Sequence, residues 1–330
     1  MQVLVTGGAG FLGSRLVNAL LARGSLVTSA GDEAAIDEIL VADIGPPAKP
    51  FPDDKRLTTR YGDYSEADAV SQMIGRDTGA VFHLAAIVSG EAEQDFDKGM
   101  RINLEGTQKI LEACRLQADC PRVVFTSSVA VYGGDMPDVL DDTTPLTPQT
   151  SYGSQKAMGE LLVNDYSRKG FIDGRALRLP TIVVRAGKPN AAASSFASSI
   201  IREPLQGEAV NCPVSGKTGV WLLSPRQVVA SFLHAADLAA DAWGASRSVA
   251  LPGMTVTVEH MLAALSKVAG EGVAARVTFE ADPFIEKIVY GWPTRFTTER
   301  AEVMGFRADQ RFEDVIEAFI EDDLDGTFVR

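Results

Sequence analysis

Tyr152 and Lys156 stand four residues apart in Ser151-Tyr152-Gly153-Ser154-Gln155-Lys156. On a helix this spacing puts a phenol and an ammonium on one face. A free phenol titrates near pH ~10, so taking a proton from an alcohol at neutrality means lowering it by roughly 3 units, about 4 kcal/mol. The Lys156 charge, a helix N-terminus and a positive ring on a bound cofactor can share that work. Ser128 offers a hydroxyl to an oxygen on which charge develops. Asn103 can hold a water that links Lys156 to solvent. A tyrosine and a lysine at helical spacing also arise by chance, so the pair gains meaning only from its surroundings.

Those surroundings include Thr6-Gly7-Gly8-Ala9-Gly10-Phe11-Leu12-Gly13, a glycine turn between an apolar strand and a helix. In that context Gly7 permits the tight turn, Gly10 lets backbone approach a pyrophosphate, and Gly13 permits close helix-to-strand packing. Phe11 and Leu12 open the helix, whose free N–H groups face the phosphates. Asp43 ends the second strand, where a carboxylate accepts both ribose hydroxyls of NAD and repels the 2′-phosphate of NADP. It lies further on than the usual separation of about 20 residues. Asp63 is a candidate for the adenine amino group, against the alternative of a solvated turn aspartate. The small residues of Leu84-Ala85-Ala86 let that strand end lie close to a dinucleotide.

Positioning these groups needs a scaffold of alternating strands and helices. Apolar runs at 1–6, 38–43, 56–61, 80–84, 123–127 and 174–184 predict strands. Helices are predicted at 11–23, 66–75, 100–117 and 152–168, and residues 25–37 form a long connection. This rhythm predicts an α/β fold, a doubly wound parallel sheet of the Rossmann type. The rhythm changes after the last strand. Residues 1–178 are predicted to form the dinucleotide-binding domain, with 220–248 returning to it. Residues 179–219 and 249–330 are predicted to form a smaller substrate-binding lobe.

At these positions the chain resembles the extended short-chain dehydrogenase/reductase family. The matching segments are the Thr6–Gly13 turn, Leu84-Ala85-Ala86, Asn103, Ser127-Ser128-Val129-Ala130-Val131-Tyr132-Gly133 and Tyr152 to Lys156. The resemblance implies a catalytic triad of Ser128, Tyr152 and Lys156 and a nicotinamide-carboxamide contact at Pro180 and Ile182. It also implies a homodimer built on the helices carrying Asn103 and Tyr152. Where the family's dehydratases carry an Asp-Glu pair this chain has Ser128-Val129, which argues against water elimination. The Ser224-Pro225-Arg226-Gln227-Val228 segment departs from the nucleotide-sugar pattern.

Around the expected substrate site the chain offers Ser89, Arg185, Lys188, Asn190, Ser194, Ser195 and Arg226. An arginine can clamp a carboxylate, and small hydroxyls and an amide suit a polyhydroxylated molecule. The 183–207 stretch is similar to the branch of the family that oxidises four-carbon sugar acids. That likeness implies NAD-dependent oxidation at C2 to a 2-oxo acid. A nucleotide-sugar 4-epimerase and an NAD-binding protein without turnover are the alternatives.

Composition narrows the remaining classes. The net charge is −13, with 44 acidic against 31 basic residues, which disfavours nucleic acid and anionic membranes as partners. No apolar run is long enough to span a bilayer, and no leader pattern opens the chain, so the cytoplasm is the expected compartment. Cys114, Cys120 and Cys212 fit no disulfide framework or zinc spacing. His83, His234 and His260 are scattered, so no metal is expected and structural or surface roles are expected for each.

Overall fold

The computed structural model describes residues 1–63, 67–187 and 192–330. The main sheet has seven strands: β1 (Gln2–Thr6), β2 (Glu38–Asp43), β3 (Leu57–Tyr61), β4 (Thr78–His83), β5 (Arg122–Ser128), β6 (Asp173–Leu179) and β7 (Ser248–Ala250). The principal helices are α1 (Phe11–Arg23), α2 (Gly106–Gln117), α3 (Ser151–Arg168), α4 (Ser195–Leu205), α5 (Pro225–Asp237), α6 (Val258–Ala269) and α7 (Phe312–Asp323). Strand order across the sheet is β7-β6-β5-β4-β1-β2-β3. It is a parallel sheet: β1 pairs with β2 and β4, β2 with β3, β4 with β5, and β6 with β7.

The strand sequences explain this arrangement. Val3, Leu4 and Val5 are all fully buried, as a parallel strand covered on both faces requires. Leu4, Leu40, Val81, Val123 and Phe125 form one core with Ile110 and Leu111 of α2 and Val163 of α3. The switch of strand order between β1 and β4 places the loops after β1, β2, β4 and β5 at the carboxyl edge, where doubly wound sheets bind ligands.

Chain organisation departs from the sequence reading in three elements. Gly24 ends α1 in the left-handed region (φ +77), its N–H bonded to the Leu20 carbonyl. The segment 25–37 then forms a small antiparallel hairpin, Ser25–Val27 with Glu33–Ala35, rather than a plain connection. Leu26 and Ile36 bury their side chains and hold it in place. The helix expected over 66–75 begins outside the described residues, and Ala67–Ser71 is its described helical part. The strand expected over 174–184 is two strands. β6 ends at Leu179, and Thr181–Ile182 pairs instead with Leu222 and Leu223. Pro180 lies at the break; without an N–H it cannot continue a ladder.

The chain divides into two compact units. The first holds residues 1–131, 148–178 and 229–250, and the second 132–147, 179–228 and 251–330. The return to the first unit therefore starts at Val229 rather than at 220. The strand Gly219–Leu223 pairs inside the second unit, antiparallel to Met254–Thr257, which is why it stays there. The core of that unit joins α4, α6 and α7 through Ile200, Ile201, Met261, Leu265, Ile316 and Phe319.

At the amino edge of the main sheet, buried Asp173 accepts from three arginines, Arg122 (3.2 Å), Arg175 (2.6 Å) and Arg247 (3.4 Å). Arg122 and Arg175 also donate to the Ala235 and Ala236 carbonyls in the last turn of α5, the negative end of its dipole. Asp173→Ala should cost about 3 kcal/mol, because it strands two buried guanidinium groups. Urea unfolding monitored by circular dichroism checks this; an unchanged midpoint refutes it.

Candidate active site

The turn after β1 is built for close approach. Gly7 has φ +67, and a Cβ there would press on the backbone of Leu84 and Ala85 at 2.7–2.9 Å. A Cβ on Gly13 would overlap the Gly7 carbonyl oxygen. The turn thus rests on the strand end Leu84-Ala85-Ala86, and α1 packs tightly on it. Gly10 occupies the N-cap of α1, and no side chain caps it. The Asp43 carboxylate at the tip of β2 accepts from the Ala9 N–H at 2.9 Å and the Ile44 N–H at 2.7 Å. The hairpin before β2 accounts for the long separation of Asp43 from the glycines. Asp63 is exposed and lies 3.7 Å from Arg101. The Gly62 N–H just before it donates to the Asp43 carbonyl at 2.9 Å.

Tyr152, Lys156 and Gln155 lie on α3. Its N-terminus is capped by the Thr150 hydroxyl, which accepts from Gly153 N–H at 3.1 Å, and by Glu93, which accepts from Ser151 N–H at 2.9 Å. The Glu93 carboxylate thus lies at the positive end of the helix. A Cβ on Gly153 would overlap the Ala130 carbonyl oxygen. The helix can therefore lie directly on the turn after β5, which carries Ser128. The Ser128 hydroxyl accepts from the Ala130 N–H at 3.1 Å.

Lys156 is buried and donates to the Thr126 carbonyl at 2.8 Å. Its Nζ lies 4.9 Å from the Phe125 ring centre and 5.6 Å from that of Tyr152. Burial pulls the ammonium down to about 7, with Glu160 one turn along opposing this. Burial pushes the Tyr152 phenol up to about 12, against a hydrogen bond with Ser128 that pulls it down. At the phenol, burial thus outweighs the Ser128 hydrogen bond.

Asn103 sits in a π-turn, Met100–Glu105, of the kind found at functional sites. Its side chain does not face solvent. Oδ1 accepts from the Ile87 N–H at 2.9 Å, and Nδ2 donates to the Ile87 carbonyl at 3.2 Å and to Gln155 Oε1 at 2.8 Å. It clasps the loop before Ser89 to the helix of Tyr152. Ser89 itself opens a short helix, Ser89–Gln94.

The other expected residues belong to the second unit. Ile182 lies in the strand beside Leu223, directly after Pro180. Arg185 is fixed by its backbone: its N–H donates to Ser198 Oγ at 3.0 Å and its carbonyl accepts from Arg202 at 2.6 Å. Ser194 and Ser195 form the start of α4. Arg226 pairs with Asp322 at 2.7 Å and Glu321 at 2.8 Å, which hold its guanidinium charged. Lys188 and Asn190 lie outside the described residues.

Comparison with known proteins identifies the family. Residues 3–252 match the NAD dependent epimerase/dehydratase family. The chain belongs to that family. Its cofactor is NAD, and it is an NAD-dependent dehydrogenase acting on a CH–OH group. It is 55% identical to the D-erythronate dehydrogenase of Cupriavidus necator over 98% of both chains. It is 46% identical to that of Haemophilus influenzae, over 98% of this chain and all of the relative. A crystal structure named as a nucleoside-diphosphate-sugar epimerase from Agrobacterium tumefaciens superposes with a TM-score of 0.93 at 41% identity. That match covers 99% of this chain and 95% of the other.

The residues present fit NAD: an uncapped helix start, a turn whose notches a Cβ would fill, and a carboxylate at the tip of β2. Sequence reasoning missed two residues that pack the site together, Gln155 and Gly153. Gly153 and Gln155 stand inside the Tyr-to-Lys segment, and that position was the available signal. Gly13→Ala should raise the dissociation constant for NAD about tenfold or more, since the turn must open to admit the methyl. A fluorescence titration reads this; wild-type affinity in the variant contradicts it.

Proposed function

We propose that the protein oxidises a short sugar acid at C2, D-erythronate to its 2-oxo acid, with transfer of hydride to NAD. The observation that carries this is the 55% identity to a D-erythronate dehydrogenase along 98% of both chains, joined to the Ser128, Tyr152 and Lys156 arrangement. Tyr152 takes the proton of the C2 hydroxyl, and Ser128 hydrogen-bonds the same oxygen. Lys156, held by Thr126, keeps its amine within reach of the phenol. When bound, NAD would supply the hydride acceptor and a positive ring that lowers the phenol. Asp43 faces the ribose and disfavours NADP, and Asp63 is assigned to the adenine side.

Arg185 is the residue assigned to the substrate carboxylate. Its backbone is held at both ends, by Ser198 and by Arg202. Arg226 already serves two carboxylates. Ser89, Asn190, Ser194 and Ser195 are assigned to hydroxyls, and Pro180 and Ile182 to the carboxamide of the cofactor.

D-erythronate with NAD should release free NADH, followed by its absorbance across a panel of four- to six-carbon sugar acids. Tyr152→Phe should lower kcat about 10²- to 10⁴-fold with NAD binding retained. The epimerase name of the Agrobacterium tumefaciens structure supports a second reading. Turnover of a nucleotide sugar without free NADH, and none with any sugar acid, would establish that reading and discard the first.

A homodimer through α2 and α3 is part of the proposal. Leu116 on α2 and Leu161 on α3 are 64% and 69% exposed, and a second copy would cover them. Sedimentation should show a dimer for the wild type and a monomer for Leu161→Asp. A monomeric wild type disproves this part.

A further inference from the structure

One buried hydrogen-bonded chain runs from the glycine turn to α3, and His83 stands in its middle. Thr6 ends β1 and His83 ends β4 in register beside it. Thr6 Oγ1 is 2.7 Å from His83 Nδ1, and His83 Nε2 is 3.0 Å from Thr107 Oγ1. Thr107 Oγ1 in turn donates to the Asn103 carbonyl at 2.7 Å.

A hydroxyl has one hydrogen to give. Thr107 spends it on Asn103, so toward His83 it can only accept. The hydrogen of the neutral ring is therefore on Nε2, and Nδ1 accepts from the Thr6 hydroxyl. Thr6 accepts in turn from the Ala85 N–H at 3.3 Å. The side-chain amide of Asn103, a different group from the carbonyl that Thr107 bonds, reaches on to Ile87 and to the fully buried Gln155 of α3. Every link has one direction, and a ring with hydrogen on Nδ1, or on both nitrogens, breaks it.

We propose that His83 is a positioning residue for the reaction. In its Nε2–H form it ties the strand ends under the dinucleotide turn to Asn103 and, through Gln155, to α3. The proposal rests on the reading of α3 as the catalytic helix. His83 touches neither substrate nor reacting atoms, and it does not act as an acid or base. Its surroundings are Thr6 of β1, Thr107 of α2 and the Phe125 ring of β5 at 5.8 Å. Lys156 of α3 is the charged group acting on it, and burial with that charge holds the imidazole down to about 3.

The first test is nuclear magnetic resonance on the full chain labelled with ¹⁵N-histidine, His83 being assigned by its loss in His83→Gln. The expected result is a neutral ring with hydrogen on Nε2 and no titration between about pH 5 and 8, where histidine ordinarily changes charge. An Nδ1–H ring, or titration in that window, overturns the proposal.

The second test compares His83→Gln with His83→Leu. Glutamine can accept and donate at once, and leucine can do neither. His83→Gln should stay near wild type. His83→Leu should lose about tenfold in kcat and in NAD affinity, measured by equilibrium titration, because Thr6 and Thr107 are left unpartnered. Equal kcat and NAD affinity in the two variants would overturn the proposal. Should His83→Leu not fold, Thr107→Val removes a single link and should shift both readouts in the same direction; wild-type values in it would also overturn the proposal. Tyr152→Phe in parallel keeps the two readings apart. Retained turnover there defeats the catalytic assignment, while the resonance and NAD-binding results still decide the role of His83.

Discussion

The Lys156 amine, taken out of water and given to the Thr126 carbonyl, is the constraint around which the site is arranged. A buried amine must be hydrogen-bonded, and its partner here is the end of a central strand. To bring the two within 2.8 Å, α3 has to lie almost on the sheet. Gly153 admits the Ala130 carbonyl and Gly159 admits the Phe125 ring. The same closeness that places Tyr152 near the end of β5 takes much of it out of solvent. Burial therefore pushes phenol and amine toward their neutral forms, the phenol to about 12 and the amine to about 7. A group brought into the site with its own positive charge then has a large effect, since little water is left to screen it.

A second buried charge arrangement lies just beneath. Glu160, one turn beyond Lys156, accepts from Ser127 at 2.5 Å and from Arg178 at 2.7–3.2 Å. Arg178 keeps Glu160 satisfied, and Glu160 in turn holds up the charge of Lys156. At the opposite edge of the sheet, Asp173 and its three arginines receive the end of α5. Ionic groups thus sit at both ends of the strands, while the strand middles are apolar.

Much of this was legible in the chain. The period of apolar residues and the glycine turn predict the doubly wound sheet, because a parallel strand buried on both faces has to be apolar throughout. The Tyr152-to-Lys156 spacing predicts a shared helical face, because helix geometry is local. The hairpin at 25–37 was not legible. Its strands are three residues long and held by burial of Leu26 and Ile36 against distant parts of the chain. Nor was the break at Pro180: a run of apolar residues does not say which sheet receives each part.

The sequence by itself determined the elements, the turn and the residue types that can move a proton, since these follow from short-range pattern and side-chain chemistry. Tertiary structure alone decided what each polar group does. It spent the Asn103 amide on Ile87 and Gln155 rather than on solvent, engaged Arg226 with Asp322 and Glu321, and set His83 between Thr6 and Thr107. Hydrogen-bond partners are chosen by which surfaces meet when the core closes, and residues such as Thr6, His83 and Asn103, far apart along the chain, become neighbours only then.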